Sequence, residues 1–294
     1  MKALQGILHH QYSLAPYTSW HIGGSAEHFD TSANLQDLQH FLLQLPETEP
    51  LTYIGLGSNL LVRDGGIKGT VILTLGALNE MTQIDSLTIR VESGVPCAKL
   101  SKLCVKLGFE NGAFFAGIPG TIGGALRMNA GAFGGETWPH VVAIETIDRR
   151  GKIEHRSPDI FQFSYRHVEG LAENEFFAAA HFRFTAGNSE RAKAAIKELL
   201  QKRQNTQPIG TFNCGSVFRN PPNDFAARLI ETAGLKGTVI GDAEVSQKHA
   251  NFIINRGHAT AADIENLILL VQDRVLAMHH IQLIRECVIV GEYS

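Results

Sequence analysis

The chain has 294 residues, 44% of them hydrophobic and 19% charged, with a formal net charge of −3. That length suits two or three modest domains, and the apolar content excludes wholesale disorder. No block of like charges occurs, so neither a nucleic-acid backbone nor an anionic membrane is an expected partner.

The opening Met1-Lys2-Ala3-Leu4-Gln5-Gly6 lacks the apolar run of a secretory signal, and no stretch of about 18 apolar residues follows, so a cytoplasmic chain without membrane insertion is expected. Asn34 can cap a helix whose Leu38, Phe41, Leu42 and Leu45 share a face and which Pro46 ends. Strands are expected at residues 51–55, 71–74 and 87–91, then a helix over 98–107 with Gly108 as its stop. Residues 112–135 are too rich in glycine for a stable isolated helix. Two β-type runs follow, at 141–147 and 176–184, with Gly151 turning a hairpin between 147 and 153. Asn188 or Ser189 starts an amphipathic helix with Ala192, Ile196, Leu199 and Leu200 on one face. Asn205-Thr206-Gln207-Pro208 then reads as a linker, with a domain boundary at about 200–210. The last third offers a helix near 224–233 ended by Gly234, a short strand at 252–255 and a helix opened by the capping-box pattern Thr260-Ala261-Ala262-Asp263. A final strand is expected over 282–290.

Glycine is the compositional outlier, and it clusters where backbone must turn or approach a ligand closely. Gly55-Leu56-Gly57-Ser58-Asn59-Leu60-Leu61 is either an ordinary turn or a nest of N–H groups for an anion, with Ser58 and Asn59 as added donors. Gly117-Ile118-Pro119-Gly120-Thr121-Ile122-Gly123-Gly124-Ala125, continuing through Asn129 and Gly131, is neither a G-x-G-x-x-G turn nor a P-loop. Two such loops far apart in sequence suit a long dinucleotide.

Arg166, in Ser164-Tyr165-Arg166-His167, is either a surface arginine or a bidentate partner for carboxylate or phosphate. Ser216 follows Gly215 in Asn213-Cys214-Gly215-Ser216-Val217-Phe218-Arg219-Asn220-Pro221, which is not the G-x-S-x-G of an acyl-transfer elbow. Cys214 is the rival nucleophile, with nothing nearby in sequence to depress its pKa. Strict alternation puts Glu286 on the face of Ile284, Val288 and Val290, either at a wet sheet edge or partly buried as an acid. H-E-x-x-H is absent and the four cysteines form no C-x-x-C pair, so no metal is expected and the thiols are expected to be reduced.

Taken in order, Thr18-Ser19-Trp20-His21-Ile22-Gly23-Gly24, the loop at 57–61, the stretch 117–135, Tyr165-Arg166, residues 215–221, Ala233-Gly234-Leu235-Lys236-Gly237, Val245-Ser246, His249-Ala250-Asn251-Phe252-Ile253-Ile254-Asn255 and Glu286 resemble the UDP-N-acetylenolpyruvoylglucosamine reductases (UDP-N-acetylmuramate dehydrogenases) over nearly the whole chain. The resemblance implies an α+β fold: an FAD-binding module of the vanillyl-alcohol-oxidase type with subdomains at 1–80 and 81–200, and a C-terminal α+β substrate domain at 205–294. The last strand would pack back near the flavin. FAD would lie between the subdomains, held by Gly55, Gly57, Ser58, Asn59 and Leu60, by Gly117, Pro119, Gly120, Thr121, Gly123 and Gly124, and by Asn129 and Gly131. Arg166, Ser216 and Glu286 map onto the catalytic positions, and Tyr165, Arg219, Asn220, Lys248 and Asn251 onto substrate contacts. NADPH would reduce FAD. Hydride would then pass to C3 of the enolpyruvyl group, with Arg166 and Glu286 stabilising the enol-like intermediate and Ser216 protonating C2. The chain looks like a short form lacking the tyrosine-bearing substrate loop, and a monomer. Arg219 stands where the family usually has lysine, and Val168 where serine is common.

Overall fold

The structure is a computed structural model, in which residues 4–294 are described. The chain forms two compact units, each assembled from separate stretches: one from residues up to His9, His28–Leu56 and Gly69–Lys202, the other from His10–Glu27, Gly57–Lys68 and Arg203–Ser294. Residues 10–27 and 57–68 group with the C-terminal third. A four-stranded sheet runs in the order Ile7–Ser13, Ser25–Thr31, Ile67–Leu73, Leu51–Ile54. The chain passes from one unit to the other within the first three of these strands.

The first unit also holds a five-stranded antiparallel sheet in the order Ile153–Arg156, Val141–Asp148, Glu175–Arg183, Thr88–Glu92, Met81–Gln83. The expected hairpin is present, with Ile147 opposite Ile153 and Gly151 at φ 73°. Helix α1, Leu35–Leu42, starts where Asn34 Oδ1 accepts the Asp37 N–H and buries Leu38, Phe41 and Leu42 with Ile72, Ile147 and Ala178. Helix α2, Cys97–Leu107, ends at Gly108 in the left-handed region. Its Leu100 and Cys104 join Ile89, Val91, Ala180 and Phe182 in the larger core.

Residues 112–135 depart from expectation: they contain a short helix, α3, Ile122–Arg127. Tertiary packing overrides propensity here, because Ile122, Ala125 and Leu126 are buried and a Cβ at Gly123 would strike Ser93. Helix α4, Ser189–Thr206, runs through the first half of the expected linker. Asn188 Oδ1 accepts the Glu190 and Arg191 N–H groups. Of its expected apolar face only Ala192 is buried, and Leu200 is 45% exposed.

The second unit carries a three-stranded antiparallel sheet of Val239–Ile240, Ala243–Val245 and Ile253–Asn255, with helices α5, Ala226–Thr232, and α6, Ala261–His279. The Thr260/Asp263 capping box forms in full. Ile264, Leu267, Ile268, Val271 and Val275 of α6 pack with Leu229, Ile230, Val245, Ile253 and Trp20, whose indole N–H donates to the Ile253 carbonyl at 2.8 Å. Leu60–Val62 pairs in parallel with Val288–Val290. Regular strand in the last segment is limited to Val288–Val290 rather than the whole of 282–290. Among the described residues no helix is long and apolar enough to cross a membrane.

Asp30, 3% exposed, accepts from the Ser32 N–H and hydroxyl, yet burial outweighs those bonds and pushes its carboxyl up to about 6. The folded chain therefore holds this proton to higher pH than the unfolded chain, and the group's stabilising contribution, full below the unfolded value, is lost as pH rises through about 6. Asp30→Asn is expected to gain roughly 2–3 kcal/mol at neutral pH and to flatten the decline in stability between about pH 4 and 6. Urea unfolding across that range measures it; an unchanged slope would count against the assignment.

Candidate active site

In the first unit, Tyr165 and Arg166 form the two-residue tip of a hairpin, with Ser164 of Gln162–Ser164 opposite His167 of His167–Glu169. Arg166 is held at φ 57°, a left-handed conformation that costs a side-chain-bearing residue roughly 1–2 kcal/mol. Its guanidinium carbon lies 5.0 Å from the Tyr165 ring centre, and Nη2 reaches the Gly131 carbonyl at 3.4 Å. Beneath the tip, Asn129 is 1% exposed. Its Nδ2 donates to Glu136 Oε2 at 2.9 Å and the Ser164 carbonyl at 3.3 Å, and its Oδ1 accepts the Trp138 N–H at 3.1 Å. Asn129 thus ties down the hairpin that carries Arg166. Val168 is buried, and its carbonyl accepts from Arg127 Nη1 at 3.2 Å.

The glycine loop of this unit is fastened at both edges. The Gly120 carbonyl accepts the Cys97 N–H at 2.9 Å, and the Ile122 and Gly123 N–H groups donate to Val95 and Ser93 at 2.9 and 2.7 Å. A Cβ at Gly55 would strike the buried Thr121 side chain, and one at Gly117 would strike Ala132 and the Phe133 ring. A Cβ at Gly124 would have only Thr121 Oγ1 within 4 Å, at 3.9 Å. Gly55 and Gly117 let the backbone close on neighbouring side chains, while Gly124 presents bare main chain to open space, which fits a flat dinucleotide cofactor laid along the loop.

In the second unit, Gly57, at φ 62°, sits so close to the Tyr17 carbonyl that no Cβ fits. Ser58, Asn59 and Leu60 follow half-buried. Asn59 Nδ2 donates to the Glu286 carbonyl at 3.0 Å, and the Asn59 carbonyl accepts the Val288 N–H at 2.9 Å. The Glu286 N–H in turn donates to the Val217 carbonyl at 2.8 Å. Ser216 and Glu286 therefore sit on adjacent, hydrogen-bonded segments of this unit. Ser216 follows Gly215, at φ 83°, whose N–H donates to Asn213 Oδ1 at 2.9 Å and beside which a Cβ would meet nothing within 4 Å.

Glu286 is half-buried between Ile284 and Val288 in sequence. Leu283 and Cys287 point into the core, whereas Ile284 and Val288 are 62% and 52% exposed, so no buried apolar face carries this carboxylate. The Val217 carbonyl accepts the N–H of both Glu286 and Cys287, a local irregularity in the pairing. Cys214 is buried, and burial together with the neighbouring Cys287 thiol raises its pKa well above the usual thiol value, which removes it as a nucleophile.

Three expected substrate contacts already have partners inside the chain. Asn220 Oδ1 accepts the Ala226 N–H at 3.1 Å, at the start of α5. Lys248 Nζ donates to the Gln204 carbonyl at 2.6 Å in the last turn of α4. The Asn251 side chain is spent on Phe218. Arg219 is half-buried, and its Nε is shut away from water with no hydrogen-bond acceptor. Lysine would put a methylene at that point, so Arg219→Lys is expected to raise stability by about 1–2 kcal/mol in urea unfolding and to shift KM for the substrate. A loss of stability would contradict the unpaired donor. Among the described residues no group of three or more His, Cys, Asp or Glu side chains is placed to hold a metal ion.

The fold and the glycine loop define an FAD-binding oxidoreductase of mixed α+β type, and a family model described as an FAD binding domain matches residues 29–157. A second model, the UDP-N-acetylenolpyruvoylglucosamine reductase C-terminal domain, matches residues 207–290. UDP-N-acetylenolpyruvoylglucosamine reductase of Coxiella burnetii (strain RSA 493 / Nine Mile phase I) is 57% identical, over 98% of this chain and 97% of that protein. The enzyme of the same name from Legionella pneumophila (strain Paris) is 55% identical, over 98% and 95%. The crystal structure of the Thermus caldophilus UDP-N-acetylenolpyruvylglucosamine reductase superposes with a TM-score of 0.82 at 29% identity, covering 98% of this chain and 99% of that one. The chain belongs to the UDP-N-acetylenolpyruvoylglucosamine reductase family.

Proposed function

We propose that the chain reduces UDP-N-acetylglucosamine enolpyruvate to UDP-N-acetylmuramate, with NADPH as the reductant, in peptidoglycan precursor synthesis. The observation that carries this reading is the pairing of a hydroxyl and a carboxyl, Ser216 and Glu286, on adjacent segments joined through the Val217 carbonyl. The names of the relatives point the same way. FAD, when bound, would supply the redox chemistry that links NADPH oxidation to reduction of the enolpyruvyl group at C3. The residues assigned to hold FAD are Gly55, Gly57, Ser58, Asn59 and Leu60, the loop positions Gly117, Pro119, Gly120, Thr121, Gly123 and Gly124, and Gly131, with Asn129 supporting them.

Arg166, and Glu286 as a neutral acid donating a hydrogen bond, meet the negative charge that develops on C2 and the carboxylate, and preorganised donors of this kind contribute about 3–4 kcal/mol each. Ser216 gives its proton to C2. A serine hydroxyl is a weak acid, but an enolate is a strong base, so a positioned hydroxyl suffices. Tyr165, Arg219, Asn220 and Lys248 hold the nucleotide sugar. The enzyme works as a monomer in the cytoplasm, alongside its nucleotide substrates.

The test is a visible absorption spectrum of the purified protein, followed anaerobically by NADPH and then by the enolpyruvyl sugar. Bleaching by NADPH and recovery with the sugar are expected. Bleaching without recovery would reject the substrate, and a protein that takes up no FAD would reject the cofactor assignment.

A further inference from the structure

Asn251 is 4% exposed and spends every polar group it has on its surroundings. Its Oδ1 accepts the Phe218 N–H at 2.9 Å, and its Nδ2 donates to the Phe218 carbonyl at 2.8 Å. Its own carbonyl accepts the Val217 N–H at 2.9 Å, and its N–H donates to His249 Nδ1 at 3.3 Å. Val217 and Phe218 are the two residues directly after Ser216, and both are buried. On the other side of the same segment the Val217 carbonyl takes the Glu286 N–H at 2.8 Å, and the Ile284 carbonyl takes the Arg219 N–H at 2.9 Å. The segment that carries Ser216 is therefore gripped between Asn251 and the stretch that carries Glu286.

We infer that Asn251 is a positioning residue that sets where Ser216 stands relative to Glu286, and not a residue that touches the substrate. This rests on the role proposed above for Ser216. Only an amide of this length meets the Phe218 peptide with one acceptor and one donor. Alanine leaves a buried N–H and C=O unpaired. An ionised aspartate accepts the N–H but faces the carbonyl with a second oxygen, whereas a protonated carboxyl restores both bonds. A displacement of about 1 Å at such a group can slow a reaction about 100-fold.

The experiment compares wild type, Asn251→Ala and Asn251→Asp, all loaded with FAD, in separate half-reactions per mole of bound flavin. Reduction by NADPH is expected to stay within about threefold of wild type in each, and the Kd of the enolpyruvyl sugar for the oxidised enzyme to stay unchanged. Re-oxidation by the sugar is expected to slow about 100-fold in Asn251→Ala. In Asn251→Asp it is expected to be slow at pH 8 and to recover towards the wild-type rate, measured at each pH, as the medium is acidified. A raised Kd with an unchanged re-oxidation rate would overturn the inference in favour of direct substrate contact. A parallel fall in both half-reactions, or an Asn251→Asp rate that does not recover in acid, would reduce Asn251 to a stability residue. Wild type that is not re-oxidised by the sugar would overturn the proposed function itself and this role with it.

Discussion

Ser216→Ala is expected to bleach with NADPH at close to the wild-type rate and to be re-oxidised by the enolpyruvyl sugar roughly 10²–10⁴-fold more slowly. Ser216 is half-buried, and the turn before it is held by the Gly215 N–H on Asn213 Oδ1, so loss of the hydroxyl leaves the local backbone bonds in place. What disappears is the proton source for C2. Stopped-flow absorbance separates the two half-reactions. Equal loss in both would show that the change damages the flavin site instead, and full retention of re-oxidation would assign the proton to another group.

The parts of this molecule that were legible in advance are those written by neighbours in sequence. The Thr260/Asp263 capping box, the Asn34 cap, the Gly108 stop and the Gly151 hairpin each depend on contacts only a few residues apart, and each forms as expected. The parallel pairing of Leu60–Val62 with Val288–Val290 joins residues far apart in sequence, which no local pattern announces. Asn59 illustrates the same limit. A Gly-Ser-Asn turn suggests an anion nest, but its amide also holds the Glu286 carbonyl, 227 positions away. Alternation grouped Glu286 with Ile284 and Val288 but could not say whether that face is buried; both neighbours are more than half exposed. Propensity undervalued α3 because its stability comes from burying Ile122 and Leu126 rather than from its glycine-rich composition. The asparagines at 129 and 251 stood out as polar residues in ligand-like motifs. Their near-complete burial shows what sequence could not, that both brace the backbone beside Arg166 and Ser216.

Arg166→Gly is the substitution that separates strain from chemistry. Arg166 occupies a left-handed position at φ 57°, where glycine would relieve roughly 1–2 kcal/mol. Against that, glycine makes the unfolded chain more flexible by about 0.5–1 kcal/mol and gives up the long bond to the Gly131 carbonyl and the contact with the Tyr165 ring. These contributions nearly cancel, so thermal unfolding is expected within about 1 kcal/mol of wild type. Re-oxidation by the enolpyruvyl sugar is expected to fall about 10²–10³-fold, because a charged donor to the developing carboxylate charge is gone. Arg166→Lys keeps the charge and the strain but not the planar two-pronged donor, and is expected to fall between the two in rate. A hairpin that merely turned the chain would show the opposite pattern, with glycine at least as active as arginine. The strain at this tip is retained because Asn129 fixes the Ser164 carbonyl from below while Gly131 receives the guanidinium. A fast glycine variant would therefore remove Arg166 from the chemistry and leave Glu286 and Ser216 to stabilise and quench the enolate alone.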